Sequence, residues 1–561
     1  MVKDFSILIG GRAGDGIDRA SVIIGHILSS IGYRIFVHRD YPSLIRGGHT
    51  FSIIRASEKK VSAHKEKIDI LIALNSETLD KHRKILKNQC FYIYDSDQIK
   101  THPDVCGTGI PISTILKEEN APDLMKNSCL IGAFGKSTGI DWDVLEKVLK
   151  ITIPKEVELN LKVAKRGYDS AKQMIGIEKI QQNVLPVLTG NEALGLGLIA
   201  GGLDVYIGYP MTPSSGLLHF LAGVAPQFGL NVIHAENEIA VIMMALGFSY
   251  AGKKSAVGTS GGGFCLMNEG LSLSGMAELP VTIVLGQRTG PSTGLPTYTG
   301  QTELFFAMYS GHGEFTRLVV APGDCEQVYY WAATSLALSW KYQIPAIILS
   351  DKTLAESIYN FDLDKVGNVG NADALMWNKT TEYKRYLDTD NGISPLCFVP
   401  ETNAVVKVNS YEHDESGITT EDPVITAKMQ TKRIRKAKFL TEELEEHYQC
   451  VNIYGNGNSE IATLCWGSNV SVCVEVCEKL GLKVIQPIVL YPFPEKQFKK
   501  AMSGVKNLIS VECNVTGQLA RFLQQFGYSV NRKILKYDGR PFSVDELENR
   551  LQAILNESNK S

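Results

Sequence analysis

The sequence contains no Cys-x-x-Cys pair, although it holds 11 cysteines in 561 residues. Iron–sulfur clusters and structural zinc sites are usually held by cysteines grouped at short spacings. Cys473 and Cys477 lie close together on one predicted helical face, but no second pair accompanies them in the sequence. We therefore predict that the chain carries no metal ion or iron–sulfur cluster, and that its cysteines are buried and reduced.

Long apolar runs and an excess of one charge are also missing. Lysine and arginine total 57, and aspartate and glutamate total 60, so the composition gives no sign of a nucleic-acid or membrane surface. No uninterrupted apolar stretch reaches the length needed to span a bilayer, and residues 1–5 lack the apolar core of a signal peptide. The sequence thus predicts a soluble, cytoplasmic protein that binds neither nucleic acid nor membrane.

Apolar segments of strand length alternate with helical patterns along most of the chain. Such alternation is typical of parallel sheets covered by helices, and it predicts an α/β fold with several parallel-sheet βα domains. A length of 561 residues fits two to four domains. A polar stretch rich in glycine, asparagine and aspartate interrupts the alternation and indicates a connector. The predicted divisions are residues 1–180, 187–358, 359–457 (the connector) and 458–561.

The connector contains a basic run, residues 432–438, with the sequence Lys-Arg-Ile-Arg-Lys-Ala-Lys. Charged runs on helices usually face solvent, so we predict a solvated helix face here. A contact with phosphate is the less favoured alternative. In either case the run would lie at the protein surface.

Residues 231–252 combine a short apolar strand with a helix that opens on a carboxylate. Asn237 is a good N-cap, and Glu238 then lies in the first turn, with apolar residues following at helical spacing. An acidic residue in the first turn complements the helix dipole, which is the purely structural explanation of Glu238. The alternative is a buried carboxyl that hydrogen-bonds a cofactor, and the neighbouring loops favour it.

Two loops flank this helix, and each follows a predicted strand. Residues 209–215 (Tyr-Pro-Met-Thr-Pro-Ser-Ser) contain two prolines that fix φ, so the loop presents the hydroxyls of Thr212 and Ser214 in one shape. Residues 287–297 place Arg288 directly after the other strand. Ligands of open α/β sheets bind at the carboxyl ends of strands, where an arginine can hold a carboxylate with two hydrogen bonds. A surface ion pair is the alternative for Arg288.

A glycine-rich turn follows the first predicted strand, with glycines at positions 10, 11, 14 and 16. The spacing differs from the G-x-G-x-x-G dinucleotide fingerprint, but a glycine turn that opens a helix can direct backbone N–H groups at an anion. A tight strand-to-helix turn without a ligand is the alternative. The turn also contains Gly-Asp-Gly, but no paired asparagine follows it in residues 38–51, so we predict no Mg²⁺ site.

Together, these motifs resemble the α subunit of the 2-oxoacid:ferredoxin oxidoreductases. The resemblance rests on the loop 209–215, the Glu238 helix and the loop 287–297, in that order. It extends to residues 408–423, 511–520 and 537–542. The first predicted domain, residues 1–180, resembles the separate γ subunit of these enzymes. The chain thus resembles a γ–α fusion, most similar to the subunits that use 2-oxoglutarate.

The resemblance implies thiamine diphosphate chemistry in the second domain. Glu238 would be the catalytic residue and would face N1′ of the cofactor's aminopyrimidine, while Thr212 and Arg288 would hold the C1 carboxylate of a 2-oxoacid. Further contacts to the cofactor would come from Tyr209, Pro210 and Ser214. The three globular domains would then be a γ-type domain, a pyrimidine-binding domain and a transketolase C-terminal-like domain.

The resemblance also implies coenzyme A as a co-substrate that contacts the γ-type domain. The residues assigned to that contact are Gly11, Gly14, Gly16 and Arg46. Mg²⁺ and a [4Fe–4S] cluster would belong to a β subunit, which would form an αβ or (αβ)₂ assembly with this chain and pass electrons to ferredoxin. The favoured substrate is 2-oxoglutarate, with pyruvate or a broad range of 2-oxoacids as the alternative.

Two hypotheses from other classes remain open. A thiamine-dependent non-oxidative decarboxylase or synthase would normally keep both halves of the cofactor site on one chain, so the missing Mg²⁺ motif disfavours it. A non-catalytic acyl-coenzyme A or nucleotide-binding module would be favoured if Glu238 were exposed and the loop 209–215 lined no cleft.

Overall fold

The structure, a computed structural model, describes residues 3–42, 47–100, 106–370 and 373–558. Within these ranges it divides into two compact units. The first comprises Met1–Thr189, Ser357–Asp362 and Phe542–Ser561, and the second comprises Gly190–Glu356 and Leu363–Pro541. Both units contain sheets covered by helices, which confirms the predicted α/β fold class. The four-domain division of the sequence stays a prediction.

The regular elements follow one another in an alternation of strands and helices. The strands are β1 (Asp4–Arg12), β2 (Arg34–Asp40), β3 (His49–Ser57), β4 (Ile68–Ala73), β5 (Leu86–Asp95), β6 (Gly107–Ile110), β7 (Val187–Thr189), β8 (Val205–Gly208), β9 (Asn231–His234), β10 (Ser255–Ser260), β11 (Val281–Gln287), β12 (Leu318–Val320), β13 (Pro345–Asp351), β14 (Ile358–Asn360), β15 (Val451–Gly455), β16 (Ile461–Leu464), β17 (Lys483–Pro487), β18 (Val489–Tyr491), β19 (Asn507–Glu512) and β20 (Arg532–Leu535). The helices are α1 (Ile17–Ser30), α2 (Ser76–His82), α3 (Ile112–Glu118), α4 (Lys126–Ser137), α5 (Trp142–Thr152), α6 (Val157–Ser170), α7 (Gly190–Ala200), α8 (Ser215–Phe228), α9 (Glu238–Tyr250), α10 (Gly261–Leu266), α11 (Asn268–Ala277), α12 (Leu304–Tyr309), α13 (Cys325–Tyr342), α14 (Lys352–Glu356), α15 (Pro423–His447), α16 (Asn469–Leu480), α17 (Glu495–Ala501), α18 (Gln518–Leu523) and α19 (Val544–Ser558).

The sheet of the first unit is mixed rather than parallel. Its strand order is β6-β5-β4-β1-β3-β2-β14-β7. The pairs β1–β4, β4–β5 and β5–β6 are parallel, whereas β3 lies antiparallel between β1 and β2. The prediction of a parallel sheet is therefore wrong for the side of the sheet that contains β3 and β2. Residues 41–48 alone join β2 to β3, and a parallel pair needs a crossover of about a dozen residues or more.

Helix α1 covers one face of this sheet. Ile24, Ile27 and Leu28 are fully buried, because helical spacing places them on the side that faces the strands. They share a core with Ile7 and Ile9 of β1. This packing fixes the end of β1 relative to the start of α1, and so holds the glycine turn between them.

The second unit contains a seven-stranded sheet of order β18-β12-β13-β11-β10-β8-β9. Every neighbouring pair from β12 to β9 is parallel. Strands β10 and β11 are buried along their whole length, as expected for strands covered by helices on both faces. Because parallel strands end at the same edge, the segments that follow β8, β9, β10 and β11 lie side by side.

A five-stranded sheet of order β15-β17-β16-β19-β20 completes the second unit. Strand β18, which follows β17 in the chain, pairs antiparallel with β12 of the seven-stranded sheet instead. One apolar core contains Ile347 and Leu349 of the larger sheet together with Trp466 and Ile485. The two sheets of this unit therefore share a core.

The predicted connector contains a 25-residue helix, α15, which Asp422 caps. Part of the basic run on this helix is buried: Lys432 is 0% exposed and Lys436 is 1% exposed. Both ammonium groups contact the buried carboxylate of Glu278. The prediction that this run faces solvent is therefore wrong for Lys432 and Lys436, because the helical period turns these lysines inward, where an anion neutralises them. Lys438, at the end of the run, is exposed as predicted.

The distribution of cysteines between interior and surface follows the prediction in part. Nine cysteines are buried, but Cys106 and Cys265 are exposed, so burial was wrongly predicted for these two. All 11 are free thiols. In the ranges that the structure describes, no helix combines the length and the apolarity needed to cross a bilayer.

Candidate functional site

Four chain segments meet at the carboxyl edge of the seven-stranded sheet. In the sheet register, Gly208 at the end of β8 lies opposite both Gly258 of β10 and His234 of β9. Ser260 at the end of β10 lies opposite Gly286 of β11. The segments that leave this edge are the loop 209–214 after β8, Glu238 after β9, α10 after β10 and Arg288 after β11.

Glu238 lies at the start of α9, where an N-cap sets the direction of the helix. The side chain of Asn237 accepts a hydrogen bond from the N–H of Ala240 at 2.9 Å, which confirms the predicted cap. Glu238 is only 3% exposed, and its Oε1 has no hydrogen-bond partner among the described residues. Buried polar atoms are seldom left unpaired. An unpaired buried carboxyl oxygen suits a ring nitrogen of an aminopyrimidine, so this residue fits thiamine diphosphate.

The first turn of α10 provides the space that the Glu238 carboxyl occupies. A Cβ on Gly263 would lie 2.1 Å from Oγ1 of Thr259 and 2.5 Å from Oε1 of Glu238. Gly262, the preceding residue, has nothing within 4 Å of the corresponding position. Glu238 therefore fits against this turn because residue 263 has no side chain.

The predicted substrate residues Thr212 and Arg288 lie in contact. Nη1 of Arg288 donates a hydrogen bond to the carbonyl oxygen of Thr212 at 3.0 Å, so the contact uses the backbone of Thr212. Burial lowers the pKa of Arg288 below its ordinary value. Among the described residues, no carboxylate forms an ion pair with Arg288. A half-buried guanidinium of this kind can receive an anionic ligand.

The predicted cofactor residues of the loop 209–214 differ in exposure. Tyr209 and Pro210 are exposed, and the ring centroid of Tyr209 lies 6.2 Å from that of His234. Ser214 is 3% exposed, and its Oγ donates a hydrogen bond to the carbonyl oxygen of Met211 at 2.8 Å. The hydroxyl of Ser214 thus stabilises the loop, whereas Tyr209 and Pro210 are accessible to a ligand.

Glu303 is a second buried carboxyl in this region, and no sequence motif predicts it. Its Oε1 accepts a hydrogen bond from Oγ1 of Thr302 at 2.8 Å. A Cβ on Gly261 would lie 2.8 Å from the same oxygen, so Glu303 and Glu238 pack against the same turn of α10. The run Ser-Gly-Gly-Gly, which begins at the last residue of β10, was a usable sequence signal for this turn, whereas nothing in the sequence marks Glu303.

In the first unit, the glycine turn lies between β1 and α1. Gly14 and Gly16 have φ of 95° and 73°, a region that favours glycine. The Asp15 carboxylate accepts a hydrogen bond from the N–H of Arg12 at 2.7 Å and pairs with Lys126 at 2.8 Å. These contacts suffice to explain a tight strand-to-helix turn, so the coenzyme A contact stays a prediction. Its assigned residues are Gly11, Gly14, Gly16 and Arg46, the last of which lies outside the described residues.

Metal ligands are not grouped in the part of the chain that the structure describes. It contains no set of three or more His, Cys, Asp or Glu side chains placed to hold a metal ion. The sheet edge instead offers an unpaired carboxyl oxygen at Glu238 and a half-buried guanidinium at Arg288. Such groups can hydrogen-bond a cofactor ring and hold an organic anion.

Two family profiles match the chain. Residues 6–170 match the profile described as "Pyruvate ferredoxin/flavodoxin oxidoreductase". Residues 196–432 match "Pyruvate flavodoxin/ferredoxin oxidoreductase, thiamine diP-bdg". The second match spans the sheet edge with Thr212, Glu238 and Arg288, so the residues that fit thiamine diphosphate lie in a domain of that binding class.

Similar proteins match over nearly the whole chain. The 2-oxoacid:ferredoxin oxidoreductase subunit alpha of Sulfolobus sp is 31% identical, with 99% of this chain and 98% of that protein aligned. The subunit of the same name from Saccharolobus solfataricus is also 31% identical, with 98% of each chain aligned. A solved structure of the 2-oxoglutarate:ferredoxin oxidoreductase from Magnetococcus marinus, with 2-oxoglutarate, coenzyme A and succinyl-CoA bound, is 29% identical and superposes with a TM-score of 0.88 over 99% of this chain and 100% of that chain. The chain therefore belongs to the α subunits of the 2-oxoacid:ferredoxin oxidoreductases.

Proposed function

We propose that this chain forms the pyrimidine-facing and substrate-facing part of an active site that oxidises a 2-oxoacid, with 2-oxoglutarate preferred. The reaction converts the 2-oxoacid anion, coenzyme A and two oxidised ferredoxins into acyl-coenzyme A, CO₂, one proton and two reduced ferredoxins. The observation that carries this proposal is the buried, unpaired carboxyl oxygen of Glu238, at the sheet edge that also bears Arg288.

Glu238 orients the cofactor ring. Thiamine diphosphate, when bound, supplies the nucleophilic carbon and the electron sink for the loss of CO₂. The carboxyl of Glu238 and Oγ1 of Thr259 lie against the same position, Gly263, and Thr259 is 0% exposed. A hydrogen bond in such a dry environment is stronger than one in water, so Glu238 can hold the aminopyrimidine in one orientation and one tautomer.

Arg288 and Thr212 position the substrate. A guanidinium has five N–H donors, and the carbonyl oxygen of Thr212 accepts from one nitrogen of Arg288. This contact fixes the group, while its other donors can bind the C1 carboxylate of a 2-oxoacid. Holding the carboxylate places the adjacent keto carbon for reaction, and such positioning can lower a barrier by several kcal/mol, up to about 10.

The preference for 2-oxoglutarate is supported by several relatives. The Magnetococcus marinus enzyme was solved with 2-oxoglutarate and succinyl-CoA bound. Two similar proteins are named 2-oxoglutarate synthase subunit KorA, from Archaeoglobus fulgidus (34% identical over 37% of this chain) and Methanocaldococcus jannaschii (28% over 64%). The family profiles carry the name of pyruvate, which keeps pyruvate as the alternative substrate. 2-Oxoglutarate has a second carboxylate at the end of the molecule away from the keto group, and binding it would need a second cation in addition to Arg288.

A partner subunit would complete the site. Beside the buried Glu238, α9 exposes Ile239 (55%) and Met243 (42%), and α10, which contacts α9, exposes Leu266 (51%). Exposed apolar residues grouped in this way are typical of protein–protein interfaces. A β subunit that brings Mg²⁺, the diphosphate site and a [4Fe–4S] cluster to this face would give an αβ or (αβ)₂ enzyme that reduces ferredoxin. Coenzyme A would contact the first unit.

The test is anaerobic reduction of a viologen dye by the assembly isolated through an affinity tag on this chain. We expect reduction that depends on coenzyme A, with a higher kcat/KM for 2-oxoglutarate than for pyruvate. A preference for pyruvate would replace the substrate while keeping the reaction class. The proposed function would be overturned if the assembly contained thiamine diphosphate and its cluster, yet none of the 2-oxoacids tested supported reduction of the dye.

Gly263→Ala offers an independent test of the Glu238 environment. We expect kcat to fall by about 10²-fold, since the new methyl group would displace the Glu238 carboxyl and small misplacements of this kind carry losses of that size. Gly262→Ala is the matched control for folding, because a Cβ there meets nothing within 4 Å. The melting temperature of Gly263→Ala should lie below that of Gly262→Ala, because the new methyl group also meets the buried Oγ1 of Thr259, so kcat is compared well below both melting temperatures. Unchanged kcat in Gly263→Ala would mean that the position of the carboxyl is unimportant.

A further inference from the structure

Glu303 is a buried carboxyl with an unused oxygen. It immediately precedes α12 and is 9% exposed. Oγ1 of Thr302 donates to its Oε1 at 2.8 Å, and its Oε2 has no hydrogen-bond partner among the described residues. A carboxyl that is nine-tenths buried, with one oxygen lacking a hydrogen bond, lowers the stability of the folded protein, which suggests that it has a functional role.

Glu303 lies against the end of β11, next to Arg288. Its N–H donates to Oε1 of Gln287 at 3.3 Å, and Oγ1 of Thr302, which donates to Glu303, also lies 3.5 Å from the carbonyl oxygen of Arg288. Among the described residues the two side chains form no ion pair or hydrogen bond, so their charges interact through space. The α10 turn opposite Glu303 presents glycine, and Glu238 packs against that turn at Gly263. From α18, Arg521 stacks on the ring of Phe305 at 5.5 Å.

Burial dominates the ionisation of Glu303. It raises the pKa of this carboxyl to about 7, although the hydrogen bond from Thr302 and the charge of Arg288 act in the opposite direction. Glu303 therefore changes charge within the range of pH in which enzymes usually work. The same change alters the electrostatic field at Arg288, and Arg288 is free of any other anion in the described part of the chain.

We propose that Glu303 is a positioning residue that couples binding of the substrate carboxylate at Arg288 to the uptake of a proton. When Glu303 is protonated, the charge of Arg288 is unopposed and attracts the carboxylate. When Glu303 is ionised, it neutralises Arg288 through space and repels the incoming anion. Substrate binding then requires a proton to be taken up from solvent onto a Glu303 carboxyl oxygen. This inference rests on the proposed function, because it uses Arg288 as the substrate residue.

The test is the pH dependence of kcat/KM for the 2-oxoacid, which reports ionisations of the free enzyme. The assembly isolated through this chain is assayed from about pH 6 to about pH 9. Wild-type kcat/KM should fall about tenfold for each pH unit above the pKa of about 7, mainly through a rising KM. Glu303→Gln should lose this fall and should exceed the wild type at the alkaline end, because glutamine stays neutral.

Glu314→Gln is the matched control, since Glu314 is an exposed acid in the same unit, and it should keep the wild-type profile. If Glu303→Gln is poorly folded, Glu303→Asp replaces it and should retain a pH-dependent fall at a displaced pH. A purely structural role would lower kcat/KM equally at every pH, which would overturn the inference. So would a Glu303→Gln profile that matches the wild type.

Arg288→Ala separates a failure of this inference from a failure of the proposed function. We expect this variant to raise KM for the 2-oxoacid. An unchanged KM would remove Arg288 from the substrate site and would contradict the proposed function itself. A raised KM in Arg288→Ala, together with an unaltered pH profile in Glu303→Gln, would reject only the coupling through Glu303.

Discussion

Replacing Glu238 by glutamine is expected to lower kcat by about 10²- to 10⁴-fold, the range typical for loss of an acid–base group. Glutamine keeps the size of the side chain, so the fold should survive. However, its amide cannot reproduce the hydrogen bond that a carboxyl makes to the cofactor ring. In the wild type, Oε1 of Glu238 has no hydrogen-bond partner among the described residues, so this is the carboxyl oxygen that we expect to bond the cofactor.

Viologen reduction by the tagged assembly measures this effect, and the thiamine diphosphate content of each preparation should be determined alongside. Glu269→Gln is the matched control, because Glu269 is an exposed acid in the first turn of α11. It should keep near wild-type kcat. A Glu238→Gln enzyme that contains the cofactor and turns over normally would show that Glu238 only complements the dipole of α9.

The largest loss of stability is expected from Glu278→Gln, at about 3–5 kcal/mol in the free energy of unfolding. Glu278 is 1% exposed, and Nζ of Lys432 donates to its two carboxylate oxygens at 2.7 and 2.9 Å. Burial alone would raise the pKa of Glu278, but Lys432, Lys436 and Arg385 hold it well below its ordinary value. Glutamine would leave two buried ammonium groups without an anion.

Denaturant titration followed by circular dichroism measures this loss, with Glu442→Gln as the control. Glu442 lies on α15, the helix that carries Lys432 and Lys436, but its contact with Lys438 is 4.0 Å long, and the side chains of Lys438 and Glu442 are 72% and 46% exposed. Such a surface pair contributes about 0–1 kcal/mol. Equal midpoints for the two variants would show that the buried cluster adds nothing to stability. The folded-state pKa of Glu278 is depressed, so its contribution should be lost as the pH falls below the unfolded value.

The features that the sequence predicts correctly follow from local patterns or from a general rule of the fold class. The start of α9 was predictable because Asn237 and the apolar spacing after Glu238 act within a single turn. The meeting of Thr212 with Arg288 was predictable because both follow strands of a parallel sheet. The first prediction follows from a short stretch of chain. The second follows from the rule that parallel strands end at one edge of a sheet, although 76 residues separate Thr212 from Arg288.

The features that the sequence does not predict depend on distant residues. Strand β3 pairs between β1 and β2 because the connection to β2 is short, which the βα alternation conceals. Lys432 is buried because Glu278, far away in the chain, meets it. Likewise, Glu303 becomes notable only when folding places it against Gly261 and near Arg288. Composition and periodicity do not predict such contacts between distant residues.

The first unit is built from three separate segments of the chain, so it cannot be completed during synthesis until the last of these segments has been made. Strand β14 (Ile358–Asn360) lies between β2 and β7, and the N–H of Val544 donates to the carbonyl oxygen of His64 at 3.0 Å. A ribosome delivers β2 and β7 long before it delivers β14, and α19 emerges later still. Until then the nascent chain has a sheet with a missing strand and an unpaired edge, the type of surface that invites wrong pairing. The unit that contains β1 thus stays incomplete until β14 and α19 have been made.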